Sequence, residues 1–257
     1  MIKKLNESYR TKVMEYLNQE KEINLFIIGD IERFGFDKSF QEVWGDLGED
    51  DVINGILLKF YDGYIYYAKE NKDVSGFVEI FKNDKSKKTL AGKKECMEMF
   101  EGIIEYTSSK ESYFTFLKEF NNFKESQEIA KKASVEDVDK IIDLYNDIDE
   151  FKDVSRNIEA IKNIIESKSG RYYVIEKNNE FLSMAGTLIE SKDLAMVGGV
   201  CTKVKHRKKG LGTKCVLKLC YELLKEGKTP CLFYSNHKAG NIYTSIGFRE
   251  IGIWTAL

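Results

Sequence analysis

The sequence predicts an α/β (α+β) chain built on a mixed, mostly antiparallel central sheet with helices on both faces, in two parts. Between residues 134 and 204 the apolar period changes from that of helices to that of strands. A polar tract, NNFKES, interrupts the chain within residues 121–132. The first half repeats a helix-then-strand order in looser form, which makes an internal duplication an expectation.

In chain order, MIKKLNESYRTKVMEYLNQE has a basic start with no apolar run behind it, so it reads as an amphipathic helix and not a signal peptide. INLFIIGDIERF continues in helical period. GILLKFYD and YIYYAKE read as strands about an Asp62-Gly63 turn. Helical DVSGFVEIF, a short strand at Thr89–Ala91, a helix around Lys94–Tyr106 and the strand YFTFLKEF follow. The acidic Glu49-Asp50-Asp51 reads as a solvated turn.

Ser134 with Glu136 and Asp137 opens a helix carrying Val138, Ile141, Ile142, Tyr145 and Ile148 on one face. A second helix runs from Ser155, with Ile158, Ile161, Ile164 and Ile165, to Gly170. RYYVIEKNNEFLSMAGTLIESKDLAMVGGVCTKV then reads as three strands with turns at Asn178-Asn179 and Lys192-Asp193. A helix from about Gly212 to Glu226 turns Val216, Leu219, Cys220 and Leu223 inward. PCLFYS is a strand begun by the chain's one proline. A helix of about ten residues ends at Gly247, and FREIGIWTAL closes as a strand. With EIAKK as a first strand the second half reads β-α-α-β-β-β-α-β-α-β.

A length of 257 residues fits one large domain or two ordinary ones, and a hydrophobic share of 42% provides for real cores. Forty basic against 42 acidic side chains leave a net charge of −2, so a nucleic-acid role would have to be local. No apolar run is long enough to span a bilayer, and a soluble cytoplasmic protein is expected. Of five cysteines, Cys201, Cys215, Cys220 and Cys231 share a region with His206 and His237. Their spacings fit no zinc finger or knuckle, so buried thiols and no metal are expected.

TKVKHRKKGLGT, residues 202–213, holds the most chemistry. Five Lys or Arg fall within residues 203–209, followed by Gly210 and Gly212, between a strand and a helix. Unpaired N–H groups at a helix start attract a phosphate, and glycines let it approach. Arg207, Lys208 and Lys209 add attraction, and the geometry favours a pyrophosphate. The stretch is not a dinucleotide fingerprint, which needs its glycines directly after the strand, nor a Walker A loop, which needs Gly-Lys-Ser/Thr.

Arg207-x-x-Gly210-x-Gly212 resembles the acyl-CoA loop of the GNAT N-acetyltransferase superfamily. Asn236-x-x-Ala239-x-x-x-Tyr243-x-x-x-Gly247-Phe248 resembles that superfamily's distal motif. Residues 130–257 are similar to the C-terminal domain of glycine N-acyltransferase-type members; the first half resembles the fold only as a degenerate copy. The resemblance implies a tandem arrangement: an accessory, degenerate domain over 1–125 without a CoA motif, and an acyl-CoA-binding catalytic domain over 126–257. It implies transfer of an acetyl or acyl group from acetyl-CoA to a primary amine by direct attack in a ternary complex. Val200, Cys201 and Thr202 would lie along the pantetheine, with a backbone N–H near Val200 as oxyanion donor. Arg207, Lys208, Lys209, Gly210, Leu211, Gly212 and Thr213 would hold the pyrophosphate, Asn236 would flank the CoA arm, and Tyr243 would protonate the departing thiolate.

Glu190 and Glu150 are candidate bases that no motif singles out, and the base stays unassigned. Each site residue also has a structural reading: glycines as turn residues, Tyr243 as a packed aromatic, Asn236 as a cap, Cys201 as a buried strand thiol. The missing base keeps a non-catalytic acyl-CoA sensor or scaffold as the alternative; a nucleic-acid patch over Lys203–Lys209 ranks third. In the first half the comparable junction is read as TLAGKKECMEMF, with one glycine. That half is therefore expected to be catalytically silent, walling the acceptor side or mediating self-association as a homodimer.

Overall fold

The structure, a computed structural model, describes residues 1–70, 73–86, 88–121, 130–151 and 158–257, without the side chain of Glu150. These fall into two compact units, one of Met1–Phe114 with Glu250–Leu257 and one of Thr115–Arg249.

The first unit begins with β1 (Ile2–Lys4), α1 (Arg10–Leu17), α2 (Leu25–Phe34), β2 (Asp37–Lys38), β3 (Gln41–Leu47) and β4 (Ile53–Phe60). It continues with β5 (Gly63–Tyr67), α3 (Ser75–Asn83), β6 (Thr89–Lys93), α4 (Lys94–Glu98) and most of β7 (Lys110–Phe116). Its sheet runs β1-β3-β4-β5-β6, with β2 beside β3, and the chain's last strand, Arg249–Ala256, pairs antiparallel with β6. Only β5 and β6 pair in parallel among the described ladders here, from Gly63↔Thr89 to Tyr66↔Gly92.

Three local expectations need correction. The first residues form β1 before any helix begins, pairing Ile2–Lys4 with Asp46–Trp44. The strand β3 was not expected because Gln41 and Gly45 interrupt its apolar alternation; Gln41 is nonetheless buried, and its amide donates to the carbonyls of Asp30 and Gly35. The helix expected over Lys94–Tyr106 ends at Glu98, and the chain then turns through Gly102 at φ +71°.

The second unit holds β8 (Lys131–Lys132), α5 (Val138–Asn146), α6 (Ile158–Glu166), β9 (Tyr172–Lys177) and β10 (Glu180–Glu190). Then come β11 (Leu194–Thr202), α7 (Leu211–Lys225), β12 (Thr229–Tyr234) and α8 (His237–Ile246); the last strand above is β13. The sheet order is β12-β11-β10-β9-β8, antiparallel except for the parallel pair β11–β12. Ser134 and Asp137 form a capping box ahead of α5. The expected helix start at Ser155 and the first residues of EIAKK lie outside the described residues.

Alternation along the strands assigns the two faces. Tyr172, Val174, Met184 and Cys201 pack with Val138, Ile141, Leu144 and Ile161 of α5 and α6. The residues between them turn toward α7, which buries Cys215, Val216, Leu219, Cys220 and Leu223. This is the mixed, mostly antiparallel α/β fold with helices on both faces that the sequence predicts.

Each unit thus has a strand–helix–parallel strand crossover: β5–α3–β6 in the first and β11–α7–β12 in the second. TLAGKKECMEMF is β6 running into α4, so it corresponds to β12–α8. The counterpart of the basic loop is the junction after Tyr67, part of which lies outside the described residues. There the N–H of Ser75, at the start of α3, donates to the Asp73 carboxylate at 2.9 Å. No helix among the described residues is long and apolar enough to cross a membrane.

Candidate acyl-CoA cleft

The cleft begins where β11 leaves β12. Their registered ladder ends at Val197↔Leu232, yet β11 continues to Thr202. Against β10, Gly198 faces Gly186 and Cys201 faces Met184, so Gly199 and Val200 together oppose Ala185 in a bulge. Gly199 carries φ +60°, and an added Cβ would lie 2.1 Å from the Tyr145 hydroxyl. Glycine is required there for both reasons.

Beyond Thr202 the chain makes one short turn, Val204–His206, and passes through Lys208 at φ +62° to Gly210 at φ +71°, the residue before α7. No side chain caps α7, and its first backbone bond of this kind is Lys214 N–H to Gly210 O at 3.0 Å. The N–H groups of Leu211, Gly212 and Thr213 therefore lie in the open first turn, with the positive end of the helix dipole. The two glycines serve different ends. Gly210 supplies the left-handed backbone, whereas a Cβ on Gly212 would come within 3.2 Å of Thr202 Oγ1, so α7 packs closely on β11.

A cleft of about 420 Å³ opens between this turn, the end of β11 and α8. Of the residues singled out from sequence, Val200, Cys201, Thr202, Arg207, Lys208, Gly210, Leu211, Gly212, Thr213 and Tyr243 all line it. Lys209 is exposed with Nζ 3.4 Å from the Lys205 carbonyl, and Asn236 caps α8 by accepting from Lys238 N–H at 2.9 Å; neither lines the cleft. Ala239 and Tyr243, one turn apart on α8, both face it. The Tyr243 ring lies 6.2 Å from that of Tyr234 and 5.9 Å from that of Phe248. Burial pushes its phenol up to about 12, with Cys220 adding in the same direction, so it is protonated at neutral pH.

The lining charge is cationic. Arg207, Lys208 and Lys238 contribute, and no carboxylate lines the cleft among the described residues. Arg207 Nε donates to the Thr202 carbonyl at 3.2 Å, which folds the side chain back toward the end of β11. Lys203 is committed elsewhere, to Asp147 at 2.7 Å and to Glu180. This removes one cation from the stretch read as a nucleic-acid patch.

Glu190 does not line the cleft. Its carboxylate, 2% exposed, accepts from Arg171 at 2.7 Å and Lys228 at 2.8 Å, and from Thr187 at 2.9 Å. Burial alone would raise its pKa, but these donors outweigh burial and leave it lowered. The side chain of Glu150 lies outside the described residues. All five cysteines are buried and none is in a disulfide; burial pushes the Cys215 thiol up to about 12. Among the described residues no group of three or more His, Cys, Asp or Glu could hold a metal ion.

Several lining residues were not singled out as site residues. Ile148 and Phe151, which follow α5, and Val216 and Ile242 supply apolar wall. Ile148 and Val216 fit a helix core pattern, which hides their second role. Phe151, beyond the periodic segment, carries no sequence signal.

A strand that parts from its neighbour beside an uncapped, glycine-opened helix start gives this mixed α/β protein a cleft with backbone donors turned into it. Residues 30–257 match the model of the GNAT acetyltransferase family, and the chain belongs to that family of acyl-transferring enzymes. The fold is similar to that of a Drosophila protein, with TM-score 0.67 at 10% identity over 100% of this chain and 98% of that one. An acetyltransferase of the GNAT family from Colwellia psychrerythraea gives 0.57 at 14% over 100% and 98%. A GCN5-related N-acetyltransferase-like protein from Streptococcus suis gives 0.55 at 12% over 94% and 97%. Identities of this size speak to the fold. No curated protein matches the chain.

Proposed function

We propose that the second unit transfers an acetyl or acyl group from acetyl-CoA to a primary amine by direct attack in a ternary complex. The observation that carries this reading is the open first turn of α7 facing the cleft beside the bulged end of β11. The N–H groups of Leu211, Gly212 and Thr213 would receive the pyrophosphate, with Arg207, Lys208 and Lys209 as supporting charge. Val200, Cys201 and Thr202 would run along the pantetheine. Asn236 contributes by holding the first turn of α8 closed on itself, which fixes Ala239 and Tyr243.

The attacking nitrogen forms the new bond to the thioester carbon, and a backbone N–H near Val200 takes the developing oxyanion. The carbon–sulfur bond breaks, and the sulfur receives the Tyr243 proton. With the buried phenol at about 12 and a free thiol at about 8.5, this transfer is uphill, and the Tyr243 phenolate it leaves takes a proton back from solvent. The amine gives up its own proton to solvent, since no carboxylate lines the cleft among the described residues.

That same lack of a carboxylate favours a second reading, a non-catalytic acyl-CoA sensor or scaffold. Both readings require acetyl-CoA to raise the unfolding temperature, by roughly 2.7 kcal/mol of stabilisation at a hundredfold excess over Kd. No shift at millimolar acetyl-CoA overturns both. Thiol release that depends on an added amine, across a panel of amines and amino acids, selects the enzyme; binding without release selects the sensor.

We infer further that the two units are a tandem pair of the same fold, with the first catalytically silent. Their matching parallel crossovers support this, as does Asp73, whose carboxylate occupies the helix start that α7 leaves open. A soluble cytoplasmic setting fits an acetyl-CoA-dependent reaction, and self-association through the first unit remains part of the proposal.

A further inference from the structure

Beneath the first turn of α7 lies a polar cluster that the proposed reaction does not use. Ser183, on β10, is fully buried and does not line the cleft. Its hydroxyl donates to the Cys201 carbonyl at 2.9 Å and lies 2.8 Å from Thr202 Oγ1. The Cys215 thiol on α7 is buried, and the same hydroxyl draws its pKa down, though burial still leaves it raised.

A serine hydroxyl has one hydrogen. With that hydrogen on the Cys201 carbonyl, the short contact to Thr202 has one remaining sense: Thr202 donates and Ser183 accepts. The Thr202 hydrogen is thereby turned into the protein, away from the cleft that Thr202 lines. Thr202 Oγ1 also marks where α7 comes closest to β11, 3.2 Å from the Cβ position of Gly212. One hydrogen-bond chain therefore fixes the rotamer of Thr202, the end of β11 and the seat of the open helix turn.

We propose that Ser183 is a positioning residue for the CoA pyrophosphate. Acting through Thr202, it holds the first turn of α7 in register with the end of β11 and leaves Thr202 able only to accept from a bound ligand. This rests on the acetyl-CoA reading of the cleft. The phosphate then receives no hydrogen bond from Thr202, which faces the amide-bearing part of the CoA arm. Losing one such hydrogen bond weakens binding by about fivefold, the equivalent of ~1 kcal/mol.

Calorimetric titration of CoA into the full chain tests this with Ser183→Ala, Thr202→Val, the double variant and Thr202→Ser. The expected result is about fivefold weaker binding for each single change, no further loss in the double variant, and wild-type binding for Thr202→Ser. If Ser183→Ala does not fold, Thr202→Val against Thr202→Ser still decides, because the first keeps shape and the second keeps the hydroxyl. Unchanged binding by Thr202→Val overturns the proposal, and so do multiplicative losses in the double variant. Wild-type protein that binds no CoA removes the acetyl-CoA reading itself, and this inference falls with it. That outcome is distinct, because it appears before any substitution is made.

Discussion

The Tyr145 hydroxyl occupies the place where a side chain on residue 199 would begin, 2.1 Å from the Cβ position of Gly199. The helix α5, which carries Tyr145, is thereby packed onto the strand at the point where β11 bulges. Gly199→Ala meets both this contact and the φ of +60°, and should lose about 2–4 kcal/mol in urea unfolding. Adding Tyr145→Phe should recover the part due to the contact and leave the backbone part.

Tyr243→Phe should lower kcat on the order of 10²-fold with CoA affinity nearly unchanged, if the phenol acts on the departing sulfur. Equal losses in kcat and affinity would mark it as a packing residue between Tyr234 and Phe248. Because its phenol is raised to about 12, the pH–rate profile of the wild type should show no alkaline fall from this group until near that value.

Asp30 on α2 is buried, and burial raises its carboxyl to about 7, only partly opposed by Arg33. A carboxyl with a raised pKa in the folded state binds its proton more tightly than in the unfolded chain. Stability should therefore fall as pH rises from about 4 toward 7 and level off above that. Asp30→Asn should be more stable than wild type at pH 8, by about 1–4 kcal/mol, with the gain vanishing near pH 4. Thermal unfolding at the two pH values checks this.

Glu190 has the opposite sign. Its folded pKa is depressed, so its stabilising contribution is present above the ordinary carboxylate value of 4.5 and is lost as pH falls through the folded value. Arg171→Met leaves Glu190 with Lys228 and the Thr187 hydroxyl and should destabilise by about 3–5 kcal/mol at neutral pH. A loss well under 1 kcal/mol in denaturant unfolding would show that the network is dispensable.

The loop and the distal motif were legible because they are local: a glycine at φ +71°, an uncapped helix start and an i, i+4 pair all fall within short stretches of chain. The strands β9–β11 announced themselves through turns at Asn178-Asn179 and Lys192-Asp193. What escaped was non-local. β3 hides because its buried Gln41 lends its amide N–H groups to carbonyls 6 and 11 residues earlier. Ser183 looks like any small strand residue until Thr202 and Cys215 are brought to it. Glu190 reads as a base at a strand end until Arg171 and Lys228 close on it.

The last strand has its own consequence. Residues 250–257 belong to the first unit, whereas the chain between residues 115 and 249 belongs to the second. No single cut in the polypeptide therefore separates the two. A fragment ending at residue 125 lacks the strand that pairs with β6, where Trp254, Thr255 and Ala256 face Lys93, Gly92 and Ala91. It should expose that edge and aggregate, and a synthetic peptide of residues 249–257 should restore its solubility. The second unit, in turn, is an insertion in the gene-order sense. It suits excision from an internal position better than expression as a C-terminal half.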